Sequence, residues 1–270
     1  VILLRRRDRL GNCLFGYTFA RVLAQRFGYG LAASPLPGFS GTFAEVPGEE
    51  VYGPVARWEG QWPFDGHSGR RLVRAEFFQA PGQRVTLAGW FQRFEFIAEA
   101  REEIRRDWLR LDRALLPRPS GDFAICLRLG DYTQNSATPE ENSQADSFAN
   151  SVLREDEVRR LVRSVPHTRL FIVTAQPDHP LVAALGDLRA EIVSGEPMED
   201  FRFIHSCRKV AICQSTFHWW AAFLGAAREI YFPRCDRGIW SKPAPAVCLG
   251  DPVHYGIDLR VDEERYVYDW

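Results

Sequence analysis

An α/β fold with a parallel sheet in the C-terminal half is what this sequence predicts, on three observations. Short apolar runs recur at residues 123–127, 170–173, 191–193, 209–213 and 229–232. Helix-length stretches separate them, at about residues 151–165, 180–185, 199–207 and 217–227. Such alternation builds βαβ units, whose strands run parallel. The third observation is that polar turns follow two of the apolar runs, where parallel sheets bind ligands. One is Arg128-Leu129-Gly130-Asp131-Tyr132; the other is Gln214-Ser215-Thr216-Phe217-His218-Trp219-Trp220.

The N-terminal half is less regular. Residues 1–4 read as a short strand, followed by the basic turn Arg5-Arg6-Arg7-Asp8-Arg9. Helical periodicity then runs over about 12–27, with Leu14, Phe15, Thr18, Phe19, Val22 and Leu23 on one side. Gly28 and Gly30 suit its C-terminus. From about residue 33 to 84 the chain is rich in Gly, Pro and aromatics, with weak periodicity, and its elements are not readable. A strand over 84–88 leads into Gly89-Trp90-Phe91-Gln92, and a charged helix is expected over about 96–111. Pro117-Arg118-Pro119-Ser120-Gly121 is the best linker, dividing an N-terminal lobe (1–116) from a C-terminal lobe (122–270). The polar stretch 133–150 is long enough to be a mobile loop beside the first of the two turns.

Composition narrows the function. With 270 residues and 46% hydrophobic residues, a sizeable core is expected, in one large domain or two modest lobes. A net charge of -1 gives no support to a nucleic-acid partner. Only Lys209 and Lys242 are lysines, an Arg bias that suggests a GC-rich bacterial genome more than a function. No apolar run reaches the ~18 residues a membrane span needs, and residues 1–4 are too short for a secretory signal. The expectation is a cytosolic, cytoplasmic protein. The chain begins on Val1, which leaves its natural start open.

Cys13, Cys126, Cys207, Cys213, Cys235 and Cys248 contain no Cys-x-x-Cys pair, so small buried hydrophobes are expected. His205, Cys207, Cys213 and His218 would fall on a helix, a strand and a second helix, without zinc-knuckle spacing. No metal site is expected.

The turn at Ser215-Thr216 places two hydroxyls where a strand hands over to a helix. There the helix dipole and main-chain N–H groups favour an anion such as a phosphate. The plainer reading is a Ser or Thr N-cap followed by core aromatics.

Three separated segments together carry a resemblance. Arg9-Leu10-Gly11-Asn12-Cys13-Leu14-Phe15-Gly16-Tyr17-Thr18-Phe19-Ala20 resembles the N-terminal glycine–asparagine motif of bacterial α-1,2-fucosyltransferases. Cys126-Leu127-Arg128-Leu129-Gly130-Asp131-Tyr132 is similar to their His-x-Arg-Arg-Gly-Asp-Tyr motif. The run from Asp200-Phe201 through Cys207-Arg208-Lys209 to Ser215-Thr216-Phe217-His218-Trp219-Trp220 resembles their C-terminal motif. Gly89-Trp90-Phe91-Gln92 with 100–105 matches a weaker fourth block.

The resemblance implies a GT-B-like fold of two Rossmann-like lobes, with the nucleotide-binding parallel sheet in the C-terminal half. It implies inverting transfer of fucose from GDP-fucose to a carbohydrate hydroxyl, with no metal and no cofactor. On that reading Arg128 offers a bidentate fork to the leaving diphosphate. Ser215, Thr216, Phe217 and His218 line its other side, and Asp200 accepts from the guanine edge. Gly11 permits close backbone approach and Asn12 hydrogen-bonds a sugar, or else Asn12 caps its helix. For the base, Glu95, Asp131, His205 and His218 are all candidates by type; Asp131 also suits the organisation of the Arg128 turn. Trp58, Trp62, Phe64, Phe77 and Phe78 are candidates for stacking on an acceptor sugar or for core packing.

The chain departs from the family pattern at identifiable places. Cys126 replaces the His, Leu129 the second Arg, Gln214 an Asn, His218 a Ser and Cys13 a Gln. Thr174-Ala175-Gln176 stands where relatives carry a Ser-Asp-Asp-like strand end. These changes leave the Arg128 clamp in place and put donor recognition in question. A related transferase with another nucleotide sugar, or a non-catalytic nucleotide- or glycan-binding relative, are the competing readings. Acceptor, linkage and oligomeric state are not readable.

Overall fold

The structure, a computed structural model, describes residues 1–4, 9–33, 36–40, 55–57, 84–87, 97–130, 152–213, 215–231 and 266–267. They form a mixed α/β architecture in two compact units that divide between Asp112 and Arg113.

The first unit contains β1 (Ile2–Leu4), α1 (Leu10–Phe27), β2 (Leu31–Ala32), β3 (Val55–Arg57) and β4 (Arg84–Leu87). All four strands are parallel, in the order β2-β1-β4-β3. Helix α1 buries Leu14, Phe15, Tyr17, Phe19, Ala20, Val22 and Leu23, and the Thr18 hydroxyl donates back to Leu14 O at 2.8 Å. Burial this far round the helix explains why its apolar stripe is broad rather than narrow. Gly28 ends it in the left-handed region at φ 67, where a Cβ is unfavourable.

The helix expected over 96–111 is shorter and irregular. A 3-10 turn (Ala98–Ala100), α2 (Arg101–Glu103) and a π turn (Ile104–Trp108) follow one another. Ile104 and Trp108 are buried, with the Arg21 guanidinium 4.3 Å above the Trp108 ring. Beyond Trp108 the chain pairs with residues 38–40: Ser40 N–H donates to Arg110 O, and Asp112 N–H to Gly38 O. That pairing takes the main-chain groups a longer helix would have used.

The second unit holds β5 (Asp122–Cys126), α3 (Glu155–Ser164), β6 (Arg169–Val173), α4 (Pro180–Ala184) and β7 (Glu191–Val193). It continues with α5 (Pro197–Ser206), β8 (Lys209–Ala211), α6 (Thr216–Leu224), β9 (Glu229–Tyr231) and β10 (Tyr266–Val267). The six strands are parallel, in the order β10-β9-β8-β5-β6-β7. From β5 the chain steps outward to β6 and β7, then α5 returns it to β8 on the other side of β5. The direction of winding therefore reverses between β5 and β8, the place where a crevice opens at the strands' carboxyl ends.

Every residue of β5 is buried, as a central parallel strand requires. Phe123, Ile125, Leu127 and Leu129 pack with Val158 and Leu161 of α3. In α6, Trp219 stacks on Phe223 with ring centroids 4.8 Å apart. The helix stops at Gly225, where a Cβ would strike His205 O, and Ala226 N–H donates to that carbonyl at 2.8 Å. At the amino end of β5, Asp122 is 1% exposed and receives hydrogen bonds from Arg118 (2.9 Å) and Arg169 (2.8 and 2.6 Å). The stretch 117–121 is thereby tied to the second unit, and Arg118 also lies over the Phe171 and Phe203 rings.

Candidate active site

Strands β5 and β8 are hydrogen-bonded neighbours, with Ala124 opposite Val210 and Ile125 opposite Ala211. Their carboxyl ends lead directly into the two turns singled out in the sequence, and those turns meet. The Arg128 guanidinium is felt electrostatically by both Cys213 and His218. Gly130 N–H donates to the side-chain oxygen of Gln176, just beyond β6. Leu129, where the family pattern has its second Arg, is buried in the core, so that position points inward.

On the β8 side Ser215 is the N-cap of α6: its Oγ accepts from His218 N–H at 3.5 Å. Ser215 N–H donates to Cys213 O at 2.7 Å. Thr216 and Phe217 occupy the first turn and are half-buried. The helix thus directs its positive end at the carboxyl edge of the sheet, beside the Arg128 turn.

His218 is 7% exposed, and its Nδ1 lies 3.2 Å from Cys213 Sγ. Burial, with the Arg128 charge adding to it, pushes the imidazole down to about 3. Burial pushes the Cys213 thiol up to about 12, against the opposing pull of Arg128. Cys126 is fully buried and its thiol is raised by desolvation. The family's His position therefore offers no exposed side chain here.

Asp200 lies near the start of α5, a helix opened by Pro197, whose missing N–H is tolerated in a first turn. Its Oδ1 accepts from Gly195 N–H at 2.9 Å, and the side chain is largely buried. Desolvation raises the carboxyl to about 6; the Gly195 hydrogen bond opposes this and the neighbouring Glu199 charge adds to it. Its charge also reaches Cys126 at the end of β5. Phe201 meets Phe217 edge-on at 5.2 Å, which locks α5 to the first turn of α6.

Arg128, Asp200, Ser215, Thr216, Phe217 and His218 all belong to the second unit. Gly11 and Asn12 belong to the first, inside the first turn of α1. The helix begins at Leu10 with Arg9 as its N-cap, so Asn12 is not the cap. Asp131, Glu95, Gln214 and the aromatics at 58–78 lie outside the described residues, as do Gly89-Trp90-Phe91-Gln92 and the polar stretch 133–150. His205 sits near the C-terminus of α5, beside Gly225 and away from the carboxyl edge of the sheet. Of the four residues weighed as zinc ligands, Cys213 and His218 come together, while His205 and Cys207 sit at the far end of α5. Among the described residues no group of three or more metal-ligating side chains occurs, and no helix is long and apolar enough to cross a membrane.

The Gly130–Gln176 bond, the Gly195–Asp200 bond and the Cys213–His218 contact were not legible in the sequence. The departures Gln176 and His218 were the available signals, since both place unusual polar groups at strand or helix ends.

With that geometry in view, the family model described as Glycosyl transferase family 11 matches residues 87–236, more than half the chain. The chain belongs to glycosyl transferase family 11. The matched span takes in Arg128, Asp200 and the Ser215–His218 turn. A relative from Bos taurus named galactoside 2-alpha-L-fucosyltransferase SEC1 is 24% identical over 255 residues, covering 86% of this chain. The chain spans 66% of that relative's length. Among solved structures, NodZ alpha-1,6-fucosyltransferase soaked with GDP-fucose has a TM-score of 0.47 at 16% identity, over 85% of this chain and 93% of its own. Se-Met NodZ from Bradyrhizobium has a TM-score of 0.45 at 16% identity, with the same coverage. By sequence, this family 11 member is similar to a fucosyltransferase.

Proposed function

We propose that this family 11 chain transfers fucose from GDP-fucose to a hydroxyl of a glycan or glycoside, with inversion and without a metal. The observation that carries it is the meeting of Arg128 with the N-terminus of α6 across the β5–β8 switch point. As the bond from the fucose anomeric carbon to GDP breaks, negative charge grows on the β-phosphate. A fixed guanidinium and a helix N-terminus stabilise that charge without a cation. Asp200 keeps Oδ1 on Gly195 and turns its other oxygen to the guanine N1–H and amino group.

The acceptor oxygen attacks from the face opposite GDP, and its proton passes to a carboxylate, for which Asp131 and Glu95 remain the candidates. Burial of His218 speaks against its serving as that base. The reading places the protein in the cytoplasm, with a GT-B-like layout: residues 1–116, with Gly11 and Asn12, on the acceptor side, and 122–270 holding the nucleotide.

Calorimetric titration with GDP, and with UDP for contrast, in EDTA tests this. Selective GDP binding without metal, followed by fucose transfer, is expected. Preference for UDP would favour a different nucleotide sugar, a reading that Cys126 and Thr174-Ala175-Gln176 support. Binding of neither would point to a non-catalytic relative.

A further inference from the structure

The turn that carries Arg128 is fixed at three points. Leu127 N–H donates to Val173 O at 2.8 Å, which carries the β5–β6 pairing one residue past the end of β5. Leu129 is buried in the core cluster. Gly130 N–H donates to the side-chain oxygen of Gln176. Arg128 therefore lies between a main-chain bond to the last residue of β6 and a side-chain bond to the turn that follows it.

Gln176 is itself held on both sides. Its N–H donates to Thr174 Oγ1 at 3.2 Å, and its carbonyl accepts from His179 N–H at 3.2 Å. Thr174 is buried, and its own N–H donates to Val193 O of β7 at 3.0 Å. With its main chain fixed in this way, Gln176 presents its amide from a set base, as a group that positions another residue must.

Gly130 is fitted to that amide. A Cβ there would stand 2.5 Å from Nε2 and 2.9 Å from Oε1 of Gln176, closer than such atoms approach their neighbours. Gly130 is not among the glycines of positive φ, so close approach is what glycine supplies here. The atoms in the way are the far end of a flexible side chain. Gly130→Ala therefore displaces the amide at little cost to the fold.

We propose that Gln176 is a positioning residue: by holding Gly130 N–H it fixes the turn from which Arg128 acts. Its functional half rests on the diphosphate reading of Arg128.

A double-mutant cycle of Gln176→Ala and Gly130→Ala in the full chain tests this. The readouts are exchange of the main-chain amide at position 130, kcat and KM with GDP-fucose, and urea unfolding. Gln176→Ala is expected to speed that exchange about 10-fold and to lower kcat about 10-fold with a smaller change in KM. The unfolding midpoint is expected to stay near wild type. Gly130→Ala, by displacing the same amide, is expected to act alike. The double variant is expected to be no worse than either single one, because both break one bond. Gln176→Glu, which keeps the acceptor oxygen, is expected to keep the exchange slow.

Should Gln176→Ala fail to fold, Gln176→Met, of similar length and without the amide, takes its place against Gln176→Glu. Wild-type exchange and kcat in the variant lacking the amide, or losses that multiply in the double variant, overturn the proposal. So does a loss of kcat matched by a fall in the unfolding midpoint, which marks a purely structural residue. A wild-type chain that binds no GDP overturns the diphosphate reading instead, while exchange at position 130 still decides the link.

Discussion

The two ends of strand β5 solve opposite problems with the same residue type. At its amino end Arg118 and Arg169 close on the buried Asp122, and opposite charges are spent on each other. At its carboxyl end Arg128 is set among a thiol, an imidazole held neutral and a capped helix N-terminus. Arginine paired with carboxylate gives a structural clasp; on the diphosphate reading, arginine beside a helix N-terminus gives a field for an anion. The strand between them is wholly apolar, so each end can be altered without disturbing the other.

That contrast breaks most sharply under substitution of the arginine at the carboxyl end. Arg128→Ala is expected to lower kcat for transfer from GDP-fucose by about 10²–10³-fold, with the melting temperature close to wild type. At the amino end the effect reverses. Asp122→Ala is expected to destabilise the fold by about 1–2 kcal/mol, because the buried carboxylate's hydrogen bonds to two partly exposed guanidinium groups are lost. Urea unfolding measures it, with GDP affinity unchanged in the folded fraction. Equal losses of stability from both variants would dissolve the distinction.

Acid titration sharpens the same comparison. The His218 pKa falls from 6.5 to about 3 on folding, so its stabilising contribution is full above 6.5 and is lost as pH falls toward 3. The Asp200 pKa rises from 3.8 to about 6, so its contribution is full below 3.8 and is lost as pH rises through 6. Between about pH 4 and 6 the two slopes oppose each other. His218→Asn is expected to flatten the acid loss of stability, and Asp200→Asn to steepen it, in urea unfolding across that range.

The smallest effects concern helix ends. Ser215→Ala removes a long N-cap bond and is expected to lower stability by about 0.5–1 kcal/mol. Gly28→Ala, which forces a side chain into a left-handed position, is expected to lower it by about 1 kcal/mol. Both are read by thermal unfolding, and a stabilised Gly28→Ala protein would contradict the assigned backbone geometry.

Much of the second unit was legible because its signals are local. The apolar runs and their spacing located β5, β6, β7, β8 and β9 to within two residues. Helix limits were less legible where competing contacts set them. Capping by Glu157 on the Arg154 N–H starts α3 later than periodicity suggests, and the approach to His205 stops α6 at Leu224. The break after Trp108 was invisible because its cause, pairing with residues 38–40, lies about seventy positions away in the chain.

What the sequence by itself determined is the α/β class of the second unit, its parallel strands, and the turn residues with charge or hydroxyl at strand ends. Those follow from periodicity, residue chemistry and spacing, all of them short-range. Only the tertiary structure decided that β8 returns beside β5, and so that the turns carrying Arg128 and Ser215 leave neighbouring strand ends. It also decided that Cys126 and Leu129 point inward and that His218 is neutral against Cys213. Burial and strand order are properties of the packed chain, and no local pattern of residues specifies which buried group meets which charge.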